Sequence, residues 1–99
     1  MTQSATLHIA LVGFGAIGQA LARQLGNDSR LVLTQVVVPP SPSDALQSAA
    51  AQLAPQARVL AALDLNPGQR PDLVVECAGH SAVDAHLVPA LQAGIPCVM

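Results

Sequence analysis

The 99-residue chain contains no lysine, tryptophan or tyrosine, and Phe14 is its only aromatic residue. A Walker-type phosphate loop needs a lysine, so this class of nucleotide site is excluded. Charged residues make up 10% of the chain and the formal net charge is -2, which gives no basic surface for nucleic acid. With 52% hydrophobic residues, the core must consist of Ala, Val, Leu and Ile, a composition that suits strands covered by helices on both faces.

Cysteine is also scarce, since Cys77 and Cys97 are the only two. Two cysteines are too few for a disulfide scaffold, and the histidines and cysteines lack the spacing of a metal site. The first apolar run is unlike a signal peptide, because no basic residue precedes it and glycines interrupt it. It is also too short to span a bilayer. We therefore expect a cytoplasmic protein with reduced thiols, no metal and no membrane or nucleic-acid partner.

Apolar runs and helical periodicity alternate along the chain. The apolar runs predict strands over residues 7–13, 31–38, 57–60, 72–79 and 95–99. Helical patterns predict helices over residues 16–25, 44–53 and 81–93. This order predicts an α/β fold with a Rossmann-type, doubly wound parallel sheet, truncated after about the fifth strand. Because the chain stops at that strand, we expect residues 1–99 to be one domain at the front of a longer protein.

The same periodicity predicts which side chains are buried. Ile17, Leu21 and Leu25 recur four residues apart and are expected to form the buried face of the first helix. Pro89 predicts a kink or a break in the last helix. His86, on that helix, is expected on a solvated face.

The segment LVGFGAIGQAL carries glycines at positions 13, 15 and 18, directly after a strand signal and at the start of a helix. This context is typical of the dinucleotide fingerprint. Gly13 permits the turn out of the strand, Gly15 lets a pyrophosphate approach the backbone, and Gly18 lets the helix pack closely. The N–H groups around Ala16 and Ile17 are expected to face the anion.

Other readings of this motif stay open at the level of sequence. A flavin dinucleotide or S-adenosylmethionine could occupy a similar turn, and a glycine-rich turn can also bind nothing. Phe14 is expected to pack at the loop rather than to stack on a ligand.

The end of the second predicted strand lacks a residue that the fingerprint usually contains. An acid is expected there to bind the adenosine ribose, but the sequence reads VVVPP. Without a carboxylate nothing repels a 2′-phosphate, so the cofactor is NAD or NADP, with Val38 and Pro39 beside the ribose. Arg58 is a candidate for a 2′-phosphate, and Ser41 and Ser43 are candidates for hydrogen bonds to the ribose.

A second informative loop, ECAGHSAV, follows the fourth predicted strand. In a doubly wound sheet this loop faces the nicotinamide half of the cofactor. Cys77, Ala78 and Gly79 are small enough for a ribose to lie against the backbone. His80 is a candidate for a hydrogen bond to the ribose or substrate, although a surface or helix-capping histidine is the more ordinary interpretation. Glu76 is expected to turn toward a polar partner at the strand end.

Together, GFGAIG, the acid-free VVVP, RPDLVVECAGHSAV and VPALQAGIPCVM resemble the N-terminal part of bacterial L-aspartate dehydrogenases. The resemblance implies an enzyme that oxidises L-aspartate to iminoaspartate with NAD or NADP, runs the reverse reaction from oxaloacetate and ammonia, and feeds pyridine nucleotide biosynthesis. It also implies a homodimer with a second domain that carries the catalytic histidine, so no catalytic residue is expected in this chain. Carried over by position, the resemblance supports Gly13, Gly15, Ala16, Ile17 and Gly18 as pyrophosphate contacts.

Two alternatives to this resemblance remain. One is the cofactor-binding domain of a related oxidoreductase, such as homoserine dehydrogenase or dihydrodipicolinate reductase. The other is a nucleotide-binding module without catalysis.

Overall fold

The structure is a computed structural model that describes residues 6–78 and 83–98. Strands and helices alternate in it, as predicted. They are β1 (Leu7–Val12), α1 (Ala16–Leu25), β2 (Leu31–Val37), α2 (Asp44–Leu53), β3 (Arg58–Leu60), β4 (Leu73–Glu76), α3 (Val88–Gln92) and β5 (Cys97–Val98). A π-helical segment, Val83–Leu87, runs directly into α3.

The strands form one parallel sheet in the order β3-β2-β1-β4-β5. The chain first builds outward from β1 to β3 and then crosses to β4 on the other side of β1. The direction of winding therefore reverses between β1 and β4, which is where doubly wound folds bind their ligands. The Rossmann-type fold class predicted from the sequence is confirmed.

Alternate residues of the sheet pack into two separate apolar clusters. Leu11 packs with Ala22 of α1 and Ala50 of α2 on one face. Val12 packs with Ala90 of α3 on the other. Both faces are thus covered by small or aliphatic side chains, as the shortage of aromatic residues requires.

The pairing of β1 with β2 contains a bulge. Ile9 pairs with Leu33, but the next residue of β1 pairs with Gln35, so that Thr34 is an extra residue in β2. The Thr34 hydroxyl donates to the Ile9 carbonyl at 3.4 Å. Because of this extra residue, Leu33 and Val36 both face α1 and α2 although they lie three positions apart.

Gln35 is a buried polar residue at the centre of the sheet, only 1% exposed. Its Nε2 donates to the Asp64 carbonyl at 3.0 Å and to the Gln69 carbonyl at 2.9 Å. Its Oε1 accepts from the Asp64 N–H at 2.9 Å. One side chain therefore ties β2 to the long connection between β3 and β4, whose proline and glycine residues give it no regular structure of its own.

Replacing Gln35 with leucine should lower the free energy of unfolding by about 3 kcal/mol, because two carbonyls and one N–H lose their partner in a buried place. Urea unfolding of the two proteins measures this loss. Gln52→Leu, on the exposed surface of α2, is the matched control and should change stability by less than about 0.5 kcal/mol. Equal stability of the Gln35 variant and the parent would contradict the role assigned to this residue.

The helix predicted over residues 81–93 differs from the observed one in its pitch. Residues 81 and 82 lie outside the described ranges, and the chain follows a π-helix to Leu87 before α3 begins, with Pro89 in the first turn. Proline has no N–H to donate to the carbonyl four residues earlier, and its ring crowds that carbonyl. The helix is not broken at Pro89; its departure from α-helical geometry is the π-helical pitch of the residues just before α3.

The buried face of α1 was predicted wrongly at its first residue. Ile17 is 67% exposed. Gly18 and Ala22 are the buried residues of the helix, with Leu21 and Leu25 half-buried beside them. A glycine in the first turn brings the helix so close to the sheet that its smallest residues face inward, and Ile17 projects outward.

Candidate dinucleotide site

The turn after β1 requires glycine at its first position for two reasons. Gly13 has a φ of +95°, which disfavours any side chain. A Cβ at this position would lie 2.6 Å from the Cβ of Ala78. Gly13 N–H also donates to the Val37 carbonyl at 2.8 Å, so the turn is held against both neighbouring strands.

Gly18 is required by packing alone. A Cβ there would lie 2.6 Å from the Gly13 carbonyl oxygen, which is backbone and cannot move aside easily. The Gln19 side chain donates to the Phe14 carbonyl at 3.0 Å and fixes the loop from the helix side. Phe14 is only 2% exposed, which confirms the prediction that it packs within the protein.

Gly15 differs from the other two glycines because nothing in the chain requires it. Its φ of -77° is open to any residue, and a Cβ built on it meets no atom within 4 Å. It is the N-cap of α1, with no side-chain hydrogen bond to cap the helix. The first N–H groups of a helix have no partner within the helix. An open backbone surface therefore lies over the positive end of α1, where an anion is favoured.

A cleft of about 190 Å³ lies beside this turn, at the carboxyl ends of the strands. It brings together residues that follow or end β1, β2, β3 and β4 and residues of the π-helical segment. Its lining is Val12, Gly13, Val37, Val38, Pro39, Pro40, Ala61, Ala78, Ala85 and His86. Four residues predicted for the site, Gly13, Val38, Pro39 and Ala78, therefore share one cleft.

The loop after β4 is anchored to the sheet by its own backbone. Cys77 N–H donates to the Val12 carbonyl at 2.8 Å, and the Glu76 carboxylate accepts from the Ala78 N–H. The polar partner expected for Glu76 is therefore a backbone amide of the same loop. Gly79 and His80, the remaining predicted residues of this loop, lie outside the described residues.

Cys77 is half-buried, and this burial raises the pKa of its thiol, with the Glu76 carboxylate raising the pKa further. Both effects disfavour the thiolate. Cys77 is therefore a neutral thiol at pH 7 and suits the wall of a site better than the role of a nucleophile.

Arg58 does not fit its predicted role as a ligand for a 2′-phosphate. Its guanidinium donates to Asp64 at 2.8 Å and to the Gln69 side chain at 3.3 Å. The Arg58 hydrogen bond lowers the pKa of Asp64, and the Asn66 backbone amide lowers it further. Arg58 therefore binds side chains of the connection between β3 and β4 and stabilises it. Ser43 caps α2 by accepting from Leu46 N–H at 3.1 Å.

His86 is the residue that sequence reasoning missed. It was expected on a solvated face, but it is half-buried and lines the cleft. Its Nδ1 is buried and has no hydrogen-bond partner among residues 6–78 and 83–98. A helical wheel with α-helical pitch could not predict this position, because the segment is π-helical.

A larger cavity of about 390 Å³ lies at the opposite end of the sheet, between Gly26, Leu31 and Gln56. It opens beside the amino ends of the strands. Parallel sheets bind ligands outside their carboxyl ends, so this cavity is not the candidate site.

Within residues 6–78 and 83–98, no group of three or more His, Cys, Asp or Glu side chains is placed to hold a metal ion. No helix in these ranges is both long enough and apolar enough to cross a bilayer.

Two L-aspartate dehydrogenases are similar to this chain over 93 residues, or 94% of its length. The enzyme of Cupriavidus taiwanensis is 48% identical, and that of a Polaromonas species is 50% identical. The chain covers 34% of each, so it spans about a third of the length of these relatives. The resemblance found in the sequence is thereby confirmed.

Two solved structures share the fold. GenD2 from gentamicin A biosynthesis, in complex with NAD, superposes with a TM-score of 0.73 at 24% identity, over 97% of this chain and 27% of GenD2. A myo-inositol dehydrogenase of Corynebacterium glutamicum gives a TM-score of 0.67 at 27% identity, over 93% of this chain and 27% of that enzyme. Residues 13–99 also match the family described as the NAD-binding domain of homoserine dehydrogenase. The chain therefore belongs to this family of NAD-binding domains, and its cofactor is a nicotinamide dinucleotide.

Proposed function

We propose that this chain is the coenzyme-binding part of an NAD(P)-dependent L-aspartate dehydrogenase. The enzyme oxidises L-aspartate to iminoaspartate and runs the reverse reaction from oxaloacetate and ammonia. The similarity to L-aspartate dehydrogenases over 94% of the chain supports the choice of substrate. We also propose a cytoplasmic homodimer that supplies iminoaspartate to pyridine nucleotide biosynthesis.

The open surface at Gly15 is the observation that carries this proposal. Gly13 and Gly18 are explained by the protein's own geometry, whereas no contact within the protein requires a glycine at position 15, where the backbone is open to a ligand. We place the pyrophosphate there, on the N–H groups of Ala16, Ile17 and Gly18, with the helix dipole adding to the attraction.

The two halves of the dinucleotide extend from this point along the carboxyl edge of the sheet. We place the adenosine beside Val38 and Pro39, which follow β2, and the nicotinamide beside the loop that begins at Cys77 and includes Gly79 and His80. Since no carboxylate stands at the end of β2, the site accepts NADP as well as NAD. When bound, the nicotinamide supplies the hydride acceptor for the oxidation.

The described part of the chain provides no site for the two carboxylates of aspartate. Arg30 pairs with Asp28 at 3.0 Å, Arg58 pairs with Asp64, and Arg70 donates to the Ala93 carbonyl. Arg23 stands in the last turn of α1, far along the helix from the glycine turn. We therefore assign substrate binding and proton transfer to the rest of a longer protein.

Calorimetric titration of the chain with NAD and NADP in parallel tests this proposal. We expect both to bind, with affinities that differ by less than about tenfold (1.4 kcal/mol), because no side chain in the described part discriminates at the ribose. The same chain should form no NADH or NADPH when aspartate is added. Tighter binding of a flavin dinucleotide or S-adenosylmethionine would refute the choice of cofactor. Aspartate turnover by this chain would refute the assignment of substrate binding and proton transfer to the rest of a longer protein.

Homoserine dehydrogenase is a second candidate, because the matching family is described by that enzyme. Steady-state assays of the longer protein with aspartate and with homoserine distinguish the two. We expect NAD(P)H formation with aspartate only.

A further inference from the structure

The wall of the 190 Å³ cleft is apolar apart from one side chain. Its other lining residues are glycine, alanine, valine and proline, and His86 alone carries a polar side-chain group. Among the described residues, the buried Nδ1 of His86 has no hydrogen-bond partner. Buried polar atoms in native proteins are almost always hydrogen-bonded, so the imidazole of His86 has hydrogen-bonding capacity that the described part of the chain does not use.

The local backbone explains why His86 reaches the cleft. It belongs to the π-helical segment that precedes Pro89, and the next residue, Leu87, is 1% exposed in the core. A π-helix turns less per residue than an α-helix, so it changes which side chains face the sheet. Such segments are rare and frequently occur at functional sites.

We propose that His86 is a coenzyme contact whose imidazole forms a hydrogen bond with the adenosine half of the dinucleotide. This inference rests on the proposed function and adds a residue that neither the glycine motif nor the loop after β4 contains. The cleft lies on the adenosine side, because Val38, Pro39 and Pro40 follow β2 and Ala61 follows β3. Apolar walls of this kind suit a purine ring, and a ring nitrogen, amine or ribose hydroxyl can pair with the imidazole of His86.

Two substitutions separate hydrogen bonding from packing. His86→Leu keeps an apolar side chain of moderate size but removes the polar atom. His86→Asn places an amide group near the position of Nδ1 and keeps the hydrogen-bonding capacity. His8→Leu is the matched control, since His8 is exposed in the first strand, and thermal unfolding of each variant shows that it folds.

Titrations with NAD and with 5′-AMP, followed by calorimetry and by NMR, give the decisive comparison. We expect His86→Leu to weaken both ligands by the same factor, about tenfold, because the lost hydrogen bond is to the part that they share. His86→Asn should stay within about threefold of the parent, and His8→Leu should match the parent. The ¹⁵N chemical shift of His86 Nδ1 should move when 5′-AMP is added to the parent.

These experiments distinguish failure of the inference about His86 from failure of the proposed function. If the parent chain binds no NAD, the proposed function is wrong and this inference falls with it. If the parent binds NAD and His86→Leu binds it equally well, only the role of His86 is wrong. If His86→Leu weakens NAD but leaves 5′-AMP unchanged, the contact is not with adenosine and the assignment is overturned.

Discussion

Gly15→Ala should weaken NAD binding about a hundredfold without changing the stability of the chain. Overpacking by a single methyl group costs about 1–3 kcal/mol where the neighbour cannot move aside, and a diphosphate held on backbone N–H groups is such a neighbour. The substitution causes no clash or strain within the protein itself, because the added Cβ meets nothing within 4 Å and the φ of -77° suits alanine. Calorimetry with NAD and thermal unfolding measure the two quantities.

Gly26→Ala is the matched control for this variant. Gly26 lies at the other end of α1, has a φ of -65°, and an added Cβ would meet the Arg23 carbonyl oxygen at an ordinary 3.5 Å. Its NAD affinity and its melting temperature should both match the parent. If the Gly15 variant binds NAD as tightly as the parent, the pyrophosphate does not lie at this turn, and the main support for the proposed function is lost.

Gly13→Ala should lower the free energy of unfolding by about 3 kcal/mol. The φ of +95° costs about 1–2 kcal/mol for a residue with a Cβ, and the contact of 2.6 Å with Ala78 adds an overpacking penalty. For a domain of this size, the melting temperature should fall by about 15 °C. Differential scanning calorimetry or urea unfolding measures the loss.

A second substitution separates the two causes of the stability loss in Gly13→Ala. In Gly13→Ala/Ala78→Gly the contact between the two Cβ atoms is gone, but the Ala78 backbone nitrogen at 2.9 Å and the positive φ remain. We expect Ala78→Gly to restore less than half of the lost stability. Full restoration would show that the backbone conformation contributes nothing, and an unchanged melting temperature in Gly13→Ala would contradict both causes.

Much of this architecture could be predicted from the sequence, because its signals are local. Continuous apolar runs predicted the strands, and the change to helical periodicity from Ala16 predicted α1 within the first βαβ unit. Ser43 precedes α2 and accepts the Leu46 N–H, as serine commonly does at the start of a helix. The glycine turn could be assigned because each position has a separate steric role, and Gly13 and Gly18 have the contacts that those roles require.

The features that could not be predicted depend on contacts between distant segments. Ile17 fits the periodicity of a buried face, yet the close packing at Gly18 turns it outward. Gln35 carries no local signal, because its partners lie 29 and 34 residues away. His86 was misplaced because a helical wheel assumes a constant pitch, and Pro89 changes the pitch just before α3.

The extra residue in β2 has a consequence for the evolution of this chain. In a strand with strict alternation, the odd-numbered residues all lie on one face. The extra residue Thr34 shifts this alternation by one position, so Leu33 faces α1 and α2 while Gln35 and Val37 face the opposite layer. Deleting Thr34 would leave Leu33, Gln35, Val36 and Val37 opposite the same residues of β1 and on their present faces, because the strand would regain strict alternation. The chain can therefore lose this one residue with the register of β2 intact, whereas a deletion in the regular part of the strand would turn the residues beyond it to the wrong face.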